Sequence, residues 1–493
     1  MGDRAVAQTG VRSYSNLIAG EWSDESRPRR ERRSPSNGET VTTYAAATVE
    51  DIDRAVAIAR AAFDSGVWSR VAPIERGRIM MRWADLIDEH NERLARIEAA
   101  EAGKPIRIAR DDMKGTAELT RYAGTLAYNL HGDAFDGVNG TDIAMVLKEP
   151  VGVVAAIVPW NFPGLIYSQK VPFALAAGCT MIVKPAALTP LSALEIGRFF
   201  TEAGLPDGVL QVITSSRASR VSPALMSDGR IRVVSFTGST EVGKILMRDG
   251  ADSMKRLSLE LGGHAPFIVF DDADLDHAVE QAAAVKMRNM GQTCVSANRI
   301  YVQRGISAEF SERLVAKLGA MRVGDGLEPE TEVGPLVDGS AVIKVEEHVA
   351  DAIEKGAEVL LGGRRPEGEA RANGHFYEPT VLRGVDERML VANEETFGPV
   401  APIFEFDTEE EVIGKANNSP YGLAAYFFTR DVNRVVRVSE ALEYGTVGAN
   451  DGSISAVQAP FGGVKESGIG REGGHWGLDE YMDIKYISLA GLA

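Results

Sequence analysis

VGVVAAIV, at residues 151–158, is followed after a helix-length gap by TMIVK at residues 180–184. Uninterrupted apolar runs of this length are typical of strands that are buried on both faces of a parallel sheet. A helix predicted over 190–203 leads to a strand at 209–214, and a further strand at 233–236 runs into Thr237-Gly238-Ser239-Thr240. This repeated βα pattern predicts an α/β protein with a doubly wound, Rossmann-like domain.

The segments on either side continue the alternation of helices and strands. Thr48–Asp51 forms a capping pattern in front of apolar residues at helical spacing, and a second helix is predicted from Pro73 to Ala102, ending at Gly103. A second α/β region begins near Leu261 and continues to about Gly445.

Two segments predict a separate β element. Residues 130–150 are expected to form an extended hairpin around Gly137-Val138-Asn139-Gly140, and Tyr481–Leu489 is expected to form a lone strand. Because an unpaired strand at a chain end often pairs with another subunit, we expect this strand to contact a neighbouring copy.

The composition excludes several functional classes. The chain has 493 residues and a net charge of -17, which argues against nucleic acid or an anionic membrane as a main partner. The basic run Arg27–Arg33 is predicted to be a solvated loop. Two cysteines give no disulfide framework, and with no visible signal peptide we expect a cytoplasmic protein. No apolar stretch approaches the ~18 residues of a membrane span.

Cys294 is the first candidate for chemistry. It follows Gly291-Gln292-Thr293, a setting that suits a thiol exposed on a turn, where backbone N–H groups lower its pKa and receive an oxyanion. A lone cysteine is more often a small buried residue, and Cys179, after Ala-Ala-Gly, fits that interpretation.

Glu260 and Asn161 are two further candidates. Glu260 stands among apolar neighbours before a glycine pair, where burial would raise its pKa toward that of a base working near neutral pH. A surface carboxylate at a strand end is the alternative. Asn161 lies between two prolines directly after an apolar strand, at the sheet edge where ligands bind, and its amide could donate to an oxyanion.

These elements together resemble the aldehyde dehydrogenase superfamily over nearly the whole chain. The matching motifs, in the family's order, are PWNFP (159–163), KPAALTP (184–190), FTGSTEVG (236–243), LELGG (259–263), GQTC (291–294), EETFGP (394–399) and PFGGVKESGIGRE (460–472).

The resemblance implies a covalent mechanism. Cys294 would attack the aldehyde as a thiolate, and the Asn161 amide with the Cys294 backbone N–H would hold the oxyanion. Loss of hydride would leave a thioester, which Glu260 would hydrolyse by activating water. Glu472 matches a position that relays protons.

The resemblance also implies a nicotinamide dinucleotide site and an oligomer. Lys184 would bind the adenosine ribose, Gly238 and Ser239 the pyrophosphate, and Glu395 the nicotinamide ribose, with Phe397 and Trp160 lining the same cleft. A homodimer or homotetramer is expected. The implied domains are dinucleotide-binding (1–129 and 151–260), catalytic (261–445) and an oligomerisation arm (130–150 and 475–493).

Two departures concern the choice between NADP and NAD. Ala187 stands where NAD-preferring relatives often carry a glutamate, which repels a 2′-phosphate. Arg217 and Arg220 lie in a segment where relatives have glycine. Loss of a carboxylate and gain of arginines favour NADP, with dual use of NAD left open, unless both arginines point to solvent.

Within the family the chain most resembles bacterial succinate-semialdehyde dehydrogenases. Arg288 matches an arginine that binds the substrate carboxylate there, and Ser455 matches a serine of the substrate pocket, although Arg288 could instead form a structural salt bridge. Gln169 replaces a second substrate arginine, and an amide cannot form a charged fork. The substrate is therefore predicted to be a succinate-semialdehyde-like anion, or alternatively a sulfonated or hydroxylated semialdehyde, and no metal is expected.

Two other functions compete with hydrolytic oxidation. A coenzyme-A-acylating relative would release the acyl group to a thiol, but Glu260 is the group that activates water. A catalytically silent structural relative would not need Cys294, Glu260, Asn161, Lys184 and Glu395 together.

Overall fold

The computed structural model describes residues 12–22, 29–137, 142–215, 218–368 and 373–491. Within these ranges it contains an eight-stranded, a seven-stranded and two three-stranded sheets, with helices packed against the two large ones. The predicted α/β class is confirmed. No helix in these ranges has the length and apolar character that a membrane span requires.

The eight-stranded sheet is built around the apolar run quoted first. Its strands, in spatial order, are Gly468–Ile469, Arg256–Glu260, Ile231–Thr237, Val153–Ile157, Thr180–Lys184, Leu210–Val212, Leu17–Ile18 and Glu21–Trp22. The five strands from Arg256–Glu260 to Leu210–Val212 are mutually parallel, and the other three are antiparallel to their neighbours.

Both faces of this sheet are covered, which explains why the central strand Val153–Ile157 is apolar throughout. Val153 and Ala155 belong to one core with the helix Val49–Ser65, whereas Val154 and Ala156 belong to another. Successive side chains of a strand point to opposite faces, so each face needs an apolar residue. The helices of this region are Val49–Ser65, Pro73–Glu89, Asn91–Ala102, Ile106–Tyr128, Pro163–Ala177, Pro190–Glu202, Ala218–Ser227 and Thr240–Ala251.

Two predicted helices can be compared with the structure directly. The helix after Thr48 is confirmed, and Thr48 and Asp51 form a reciprocal capping box. The prediction of one helix from Pro73 to Ala102 is wrong, because His90 leaves helical geometry at φ -103 and ψ 18 and separates two helices. The His90 ring stacks on Phe199 with centroids 4.8 Å apart, a long-range contact that local periodicity does not reveal.

The seven-stranded sheet forms the second large unit. Its strands, in spatial order, are Glu358–Leu361, Thr380–Arg383, Val400–Phe406, Ala297–Gln303, Ala265–Val269, Ala424–Phe428 and Thr446–Ala449. All neighbours are parallel except the first pair. The α-helices that follow Leu261 are Leu275–Met287, Ser307–Gly319, Gly339–Glu354, Leu390–Asn393, Glu409–Asn417, Val432–Ala441 and Gly474–Asp479.

The predicted hairpin is confirmed by the antiparallel strands Asp133–Asp136 and Ile143–Pro150, although residues 138–141 at its turn lie outside the described ranges. The final strand, Met482–Leu489, is not a lone strand, because it pairs with Ile143–Pro150 of the same chain. The prediction that it is unpaired is therefore wrong. Its partner lies more than three hundred positions earlier in the sequence, which no local pattern indicates.

The basic run is also structured differently from its prediction. Arg29–Arg33 is a strand that pairs antiparallel with Thr40–Ala45, and Arg12–Tyr14 completes this second small sheet. Arg32 is buried, and its Nε donates to the carbonyl of Glu101 at 3.1 Å. The loop interpretation fails because this arginine finds a carbonyl partner across the fold.

Candidate active site

A strained turn presents Cys294 between the helix Leu275–Met287 and the strand Ala297–Gln303. Asn289, Met290 and Gly291 adopt consecutive left-handed conformations, with φ of 48°, 56° and 74°. Two of these residues are not glycine, and such a conformation costs non-glycine residues energy. The Asn289 amide stabilises the turn by donating to the carbonyl oxygen of Gln292 at 3.2 Å.

The glycine pair after Glu260 allows this turn to lie close to the neighbouring sheet. A Cβ atom at Gly263 would lie 2.1 Å from the backbone oxygen of Cys294, so a side chain there would displace the turn. The Gly263 amide donates to Oε1 of Glu395 at 3.1 Å. Gly263 therefore joins the nucleophile turn and the Glu395 segment at one point.

The Cys294 thiol is half-buried, and its pKa differs from the predicted direction. Burial raises the pKa of Cys294 well above its usual value, and the carboxyl of Glu260 raises it further. The expectation of a lowered pKa is wrong, because desolvation and the nearby Glu260 carboxyl outweigh the backbone N–H groups. The thiol therefore needs a proton acceptor when it reacts.

Glu260 ends the strand Arg256–Glu260 and is 3% exposed. Burial raises its pKa to about 8, and the nearby Glu472 contributes in the same direction. Its Oε1 has no hydrogen-bond partner among the described residues. The predicted rise in pKa is confirmed, and the surface-carboxylate alternative is excluded.

Glu472 forms a buried ion pair with Lys170. Lys170 is fully buried on the helix Pro163–Ala177, and Glu472 is 4% exposed. Lys170 lowers the pKa of Glu260, whereas Glu472 raises it. The pairing of Lys170 could not be predicted, because nothing in its local sequence indicates that a lysine next to Gln169 meets a carboxylate some three hundred residues later.

Asn161 is buried beside the nucleophile turn. Its Nδ2 donates to the carbonyl oxygen of Gln292 at 3.2 Å, and its own carbonyl accepts from Nδ2 of Asn289 at 3.1 Å. Gln292 is held in turn by the amide of Val337, which donates to its Oε1 at 2.9 Å. These hydrogen bonds fix the Asn161 amide against the turn that precedes Cys294.

A crevice of about 330 Å³ unites most of the predicted residues. The predicted residues that line it are Trp160, Asn161, Gly238, Ser239, Glu260, Cys294, Glu395 and Phe397. The rings of Trp160 and Phe397 meet edge to face with centroids 5.6 Å apart. Asp338 and Lys344 also line the crevice, and sequence reasoning missed both.

Two predicted cofactor residues do not line this crevice. Lys184 ends the strand Thr180–Lys184, and burial lowers the pKa of its ammonium to about 8. Its Nζ donates to the carbonyl of Pro185 at 3.4 Å, and no carboxylate in the described ranges pairs with it. The carbonyl of Ala187 accepts from the Tyr44 hydroxyl at 3.3 Å. Arg217 lies outside the described residues.

A second, smaller cavity of about 40 Å³ shares Cys294 and Glu260 with the crevice. The predicted substrate residues Gln169, Arg288 and Ser455 line it together with Glu260 and Cys294. Its remaining lining residues are Phe162, Leu165, Ile166, Thr293, Val295 and Phe461. The guanidinium of Arg288 also approaches Asp112, with Nη2 and Oδ1 3.4 Å apart, so it both lines the cavity and forms an ion pair. No group of three or more potential metal ligands occurs in the described part of the chain.

The comparisons with known proteins agree with this geometry. The model of the "Aldehyde dehydrogenase family" matches residues 22–487. A 3-sulfolactaldehyde dehydrogenase of Pseudomonas putida is 47% identical, with 93% of each chain covered. An NADP⁺-linked succinate-semialdehyde dehydrogenase of Escherichia coli is 46% identical over 96% of this chain and 97% of its own.

A crystal structure of an aldehyde dehydrogenase from Brucella melitensis superposes with a TM-score of 0.94 at 47% identity, covering 97% of this chain and 98% of that one. The resemblance stated from the motifs is confirmed. The chain therefore belongs to the aldehyde dehydrogenase family and is an enzyme, as its sequence predicts.

Proposed function

We propose that the protein oxidises a short, anionic semialdehyde to the carboxylic acid, with NADP or NAD as hydride acceptor. The observation that carries the proposal is that Cys294 and Glu260 line both cavities, one of which is also lined by Arg288. The relatives named for 3-sulfolactaldehyde and succinate semialdehyde support this substrate class, since both aldehydes end in an anion.

The first chemical role belongs to Cys294. As its thiol loses a proton to the Glu260 carboxylate, the sulfur bonds to the aldehyde carbon and the carbonyl oxygen becomes an oxyanion. The Asn161 amide and the Cys294 backbone N–H donate to that oxygen, which stabilises the charge that develops there. The high pKa of the free thiol is consistent with proton transfer that accompanies attack.

The crevice fits a nicotinamide dinucleotide. Ser239 caps the helix Thr240–Ala251, whose first amides and dipole favour a phosphate, and the buried Lys184 ammonium has unused donors for ribose hydroxyls. Glu395, Phe397, Trp160 and Gly238 would hold the rest of the cofactor. When bound, the cofactor would supply the hydride acceptor, and loss of the hydride would convert the Cys294 adduct into a thioester.

Glu260 serves the second half of the reaction. Its carboxylate takes a proton from a water molecule, whose oxygen attacks the thioester carbon and releases the Cys294 sulfur. We infer that Glu472, which pairs with Lys170, receives the proton from Glu260, because Glu472 raises the pKa of that group. This division of roles favours water over coenzyme A as the acyl acceptor.

We propose NADP as the preferred cofactor, with NAD also used. A methyl group at Ala187 leaves the region beyond Lys184 without the carboxylate that would repel a 2′-phosphate. Arg217 is proposed as the phosphate partner. The name of the Escherichia coli relative gives NADP⁺ as its cofactor, which supports this preference.

A second substrate candidate rests on Gln169. Arg288, Gln169 and Ser455 line one small cavity, and only the first of them carries a charge. A sulfonate offers three oxygens to three separate donors, whereas a carboxylate is best held by charged forks. The 3-sulfolactaldehyde relative favours the sulfonated alternative.

We also propose a domain division, an oligomeric state and a location for the protein. The sheets support a division into a dinucleotide-binding part (1–129 and 151–260), a catalytic part (261–445) and an arm (130–150 and 475–493), because no sheet contains strands from two of these parts. Two strands outside these bounds, Thr446–Ala449 and Gly468–Ile469, extend the seven-stranded and the eight-stranded sheet. We propose a homodimer or homotetramer, since exposed apolar residues such as Ile484 occur on the arm. Two free cysteines support a cytoplasmic location.

The test is a panel of short aldehydes, anionic and neutral, assayed with NADP and NAD by the absorbance of the reduced cofactor. Cys294→Ala should abolish turnover, whereas the control Cys179→Ala should retain it, because that thiol is buried in the core. Arg288→Leu should raise KM far more for anionic than for neutral aldehydes. Turnover in Cys294→Ala, or no reduction with any aldehyde, would contradict the proposal.

A further inference from the structure

A buried cluster of charges lies behind the anion cavity. Nζ of Lys104 is 2.5 Å from Oε1 of Glu98 and 2.6 Å from Oδ2 of Asp112, and all three side chains are at most 1% exposed. None of them lines the crevice or the cavity. Burying three charges is costly unless each is paired, so the cluster calls for a reason beyond packing.

Asp112 connects this cluster to the cavity. One of its carboxylate oxygens binds Lys104, while the other faces Nη2 of Arg288 at 3.4 Å. Phe162 lies between the same two cations, since its ring centroid is 4.2 Å from the Lys104 ammonium and 5.0 Å from the Arg288 guanidinium. Asp112 and Phe162 thus hold the guanidinium from two sides.

We propose that Asp112 is a positioning residue that orients Arg288 in the cavity and thereby sets the preference for anionic over neutral aldehydes. This inference rests on the proposed anion pocket. Arg288 is 43% exposed on a long side chain, and Asp112 is its one ion-pair partner among the residues that the structure describes. Without that contact the guanidinium can turn to solvent. Binding of the substrate would then have to fix the Arg288 side chain, and the lost conformational entropy would weaken binding.

Glu98 allows the contact between Asp112 and Arg288 to be removed without leaving Lys104 unpaired. Burial raises the pKa of Glu98 to about 7, and the neighbouring Asp112 contributes to that rise. In Asp112→Asn this second contribution is lost, so Glu98 ionises at lower pH and balances Lys104 in place of Asp112. Lys104 therefore keeps Glu98 as a carboxylate partner in the variant, and the substitution mainly removes the contact to Arg288.

The experiment compares the ratio of kcat/KM for succinate semialdehyde to that for butanal, an uncharged aldehyde of the same chain length, at pH 6.5. Asp112→Asn should lower this ratio about tenfold, the value of one charge-assisted hydrogen bond. The matched control is Asp111→Asn, which makes the same chemical change at the exposed neighbouring residue and should leave the ratio unaltered. Asp112→Glu keeps the charge but displaces the carboxylate, so it should also lower the ratio. This variant tests the inference if Asp112→Asn does not fold.

A double-mutant cycle shows whether Asp112 acts through Arg288. On the Arg288→Leu background, Asp112→Asn should cause no further fall in the ratio. An unchanged or increased ratio in Asp112→Asn, or an equal fall on both backgrounds, would overturn the inference. If Arg288→Leu itself leaves the ratio unchanged, the anion pocket of the proposed function fails instead, so the two failures are distinguishable.

Discussion

The pH dependence of thioester hydrolysis follows from the burial of Glu260. Because the pKa of this carboxyl is raised to about 8, only its ionised fraction can accept a proton from water. A group with this pKa is ionised to roughly 0.09 at pH 7 and roughly 0.9 at pH 9. Hydrolysis should therefore accelerate about tenfold between these two pH values.

Rapid mixing with aldehyde and oxidised cofactor can separate the two halves of the reaction. An initial burst of reduced cofactor reports hydride transfer, and the slower steady phase reports hydrolysis. Glu260→Gln should slow the burst, because the thiol loses its proton acceptor, and should lower the steady phase about 10²–10⁴-fold, because the amide cannot take a proton from water. The rise of the steady rate with pH should disappear in the same variant.

Glu101→Gln is the matched control for this experiment. Glu101 is another buried carboxyl whose pKa burial raises to about 8, but it binds the amide of Leu191 and lies outside both cavities. Its variant should keep the burst, the steady phase and their pH dependence. A steady rate that is flat from pH 7 to pH 9 in the parent enzyme, or that stays within about twofold of the parent in Glu260→Gln, would refute the role of Glu260.

Four further expectations follow from individual contacts. Asn161→Ala should lower kcat about 10²-fold or more by removing an oxyanion donor, and a kcat near that of the parent would contradict the role. Ala187→Glu should reduce kcat/KM with NADP at least about tenfold relative to NAD, measured with both cofactors on one aldehyde. Gln169→Arg should raise kcat/KM for succinate semialdehyde about tenfold, whereas no gain would argue against a one-cation pocket. Because the pKa of Glu101 rises from 4.5 unfolded to about 8 folded, its protonated form stabilises the fold fully below pH 4.5, and that stability is lost as the pH rises to about 8. Glu101→Gln should therefore show a smaller fall in Tm between pH 5 and pH 8 than the parent enzyme.

Much of the fold could be predicted from local pattern. The strand Thr180–Lys184 has the predicted bounds, and the helix Pro190–Glu202 ends within one residue of its prediction. Such elements are read correctly because apolar periodicity and capping residues act over a few positions. The break at His90 and the partner of Met482–Leu489 were missed because each depends on a residue far away in the sequence.

In the candidate site, too, some features could be predicted from the sequence and others depend on distant residues. The resemblance to the aldehyde dehydrogenase family implied that Cys294, Glu260 and Asn161 meet, and the structure has all three lining one crevice. The direction of the Cys294 pKa could not be predicted, because it depends on how deeply the thiol is buried and on which carboxyl faces it. Lys170 and Asp112 had no signal at all.

The sequence by itself determined the family, the α/β class, and the residue types available for chemistry, because motifs, hydrophobic period and turn residues are local properties of the chain. Tertiary structure alone decided which charges are buried together: Lys170 with Glu472, and Lys104 with Asp112 behind Arg288. Electrostatic energy depends on distance and on exclusion of water, and neither quantity exists until residues hundreds of positions apart are brought into contact.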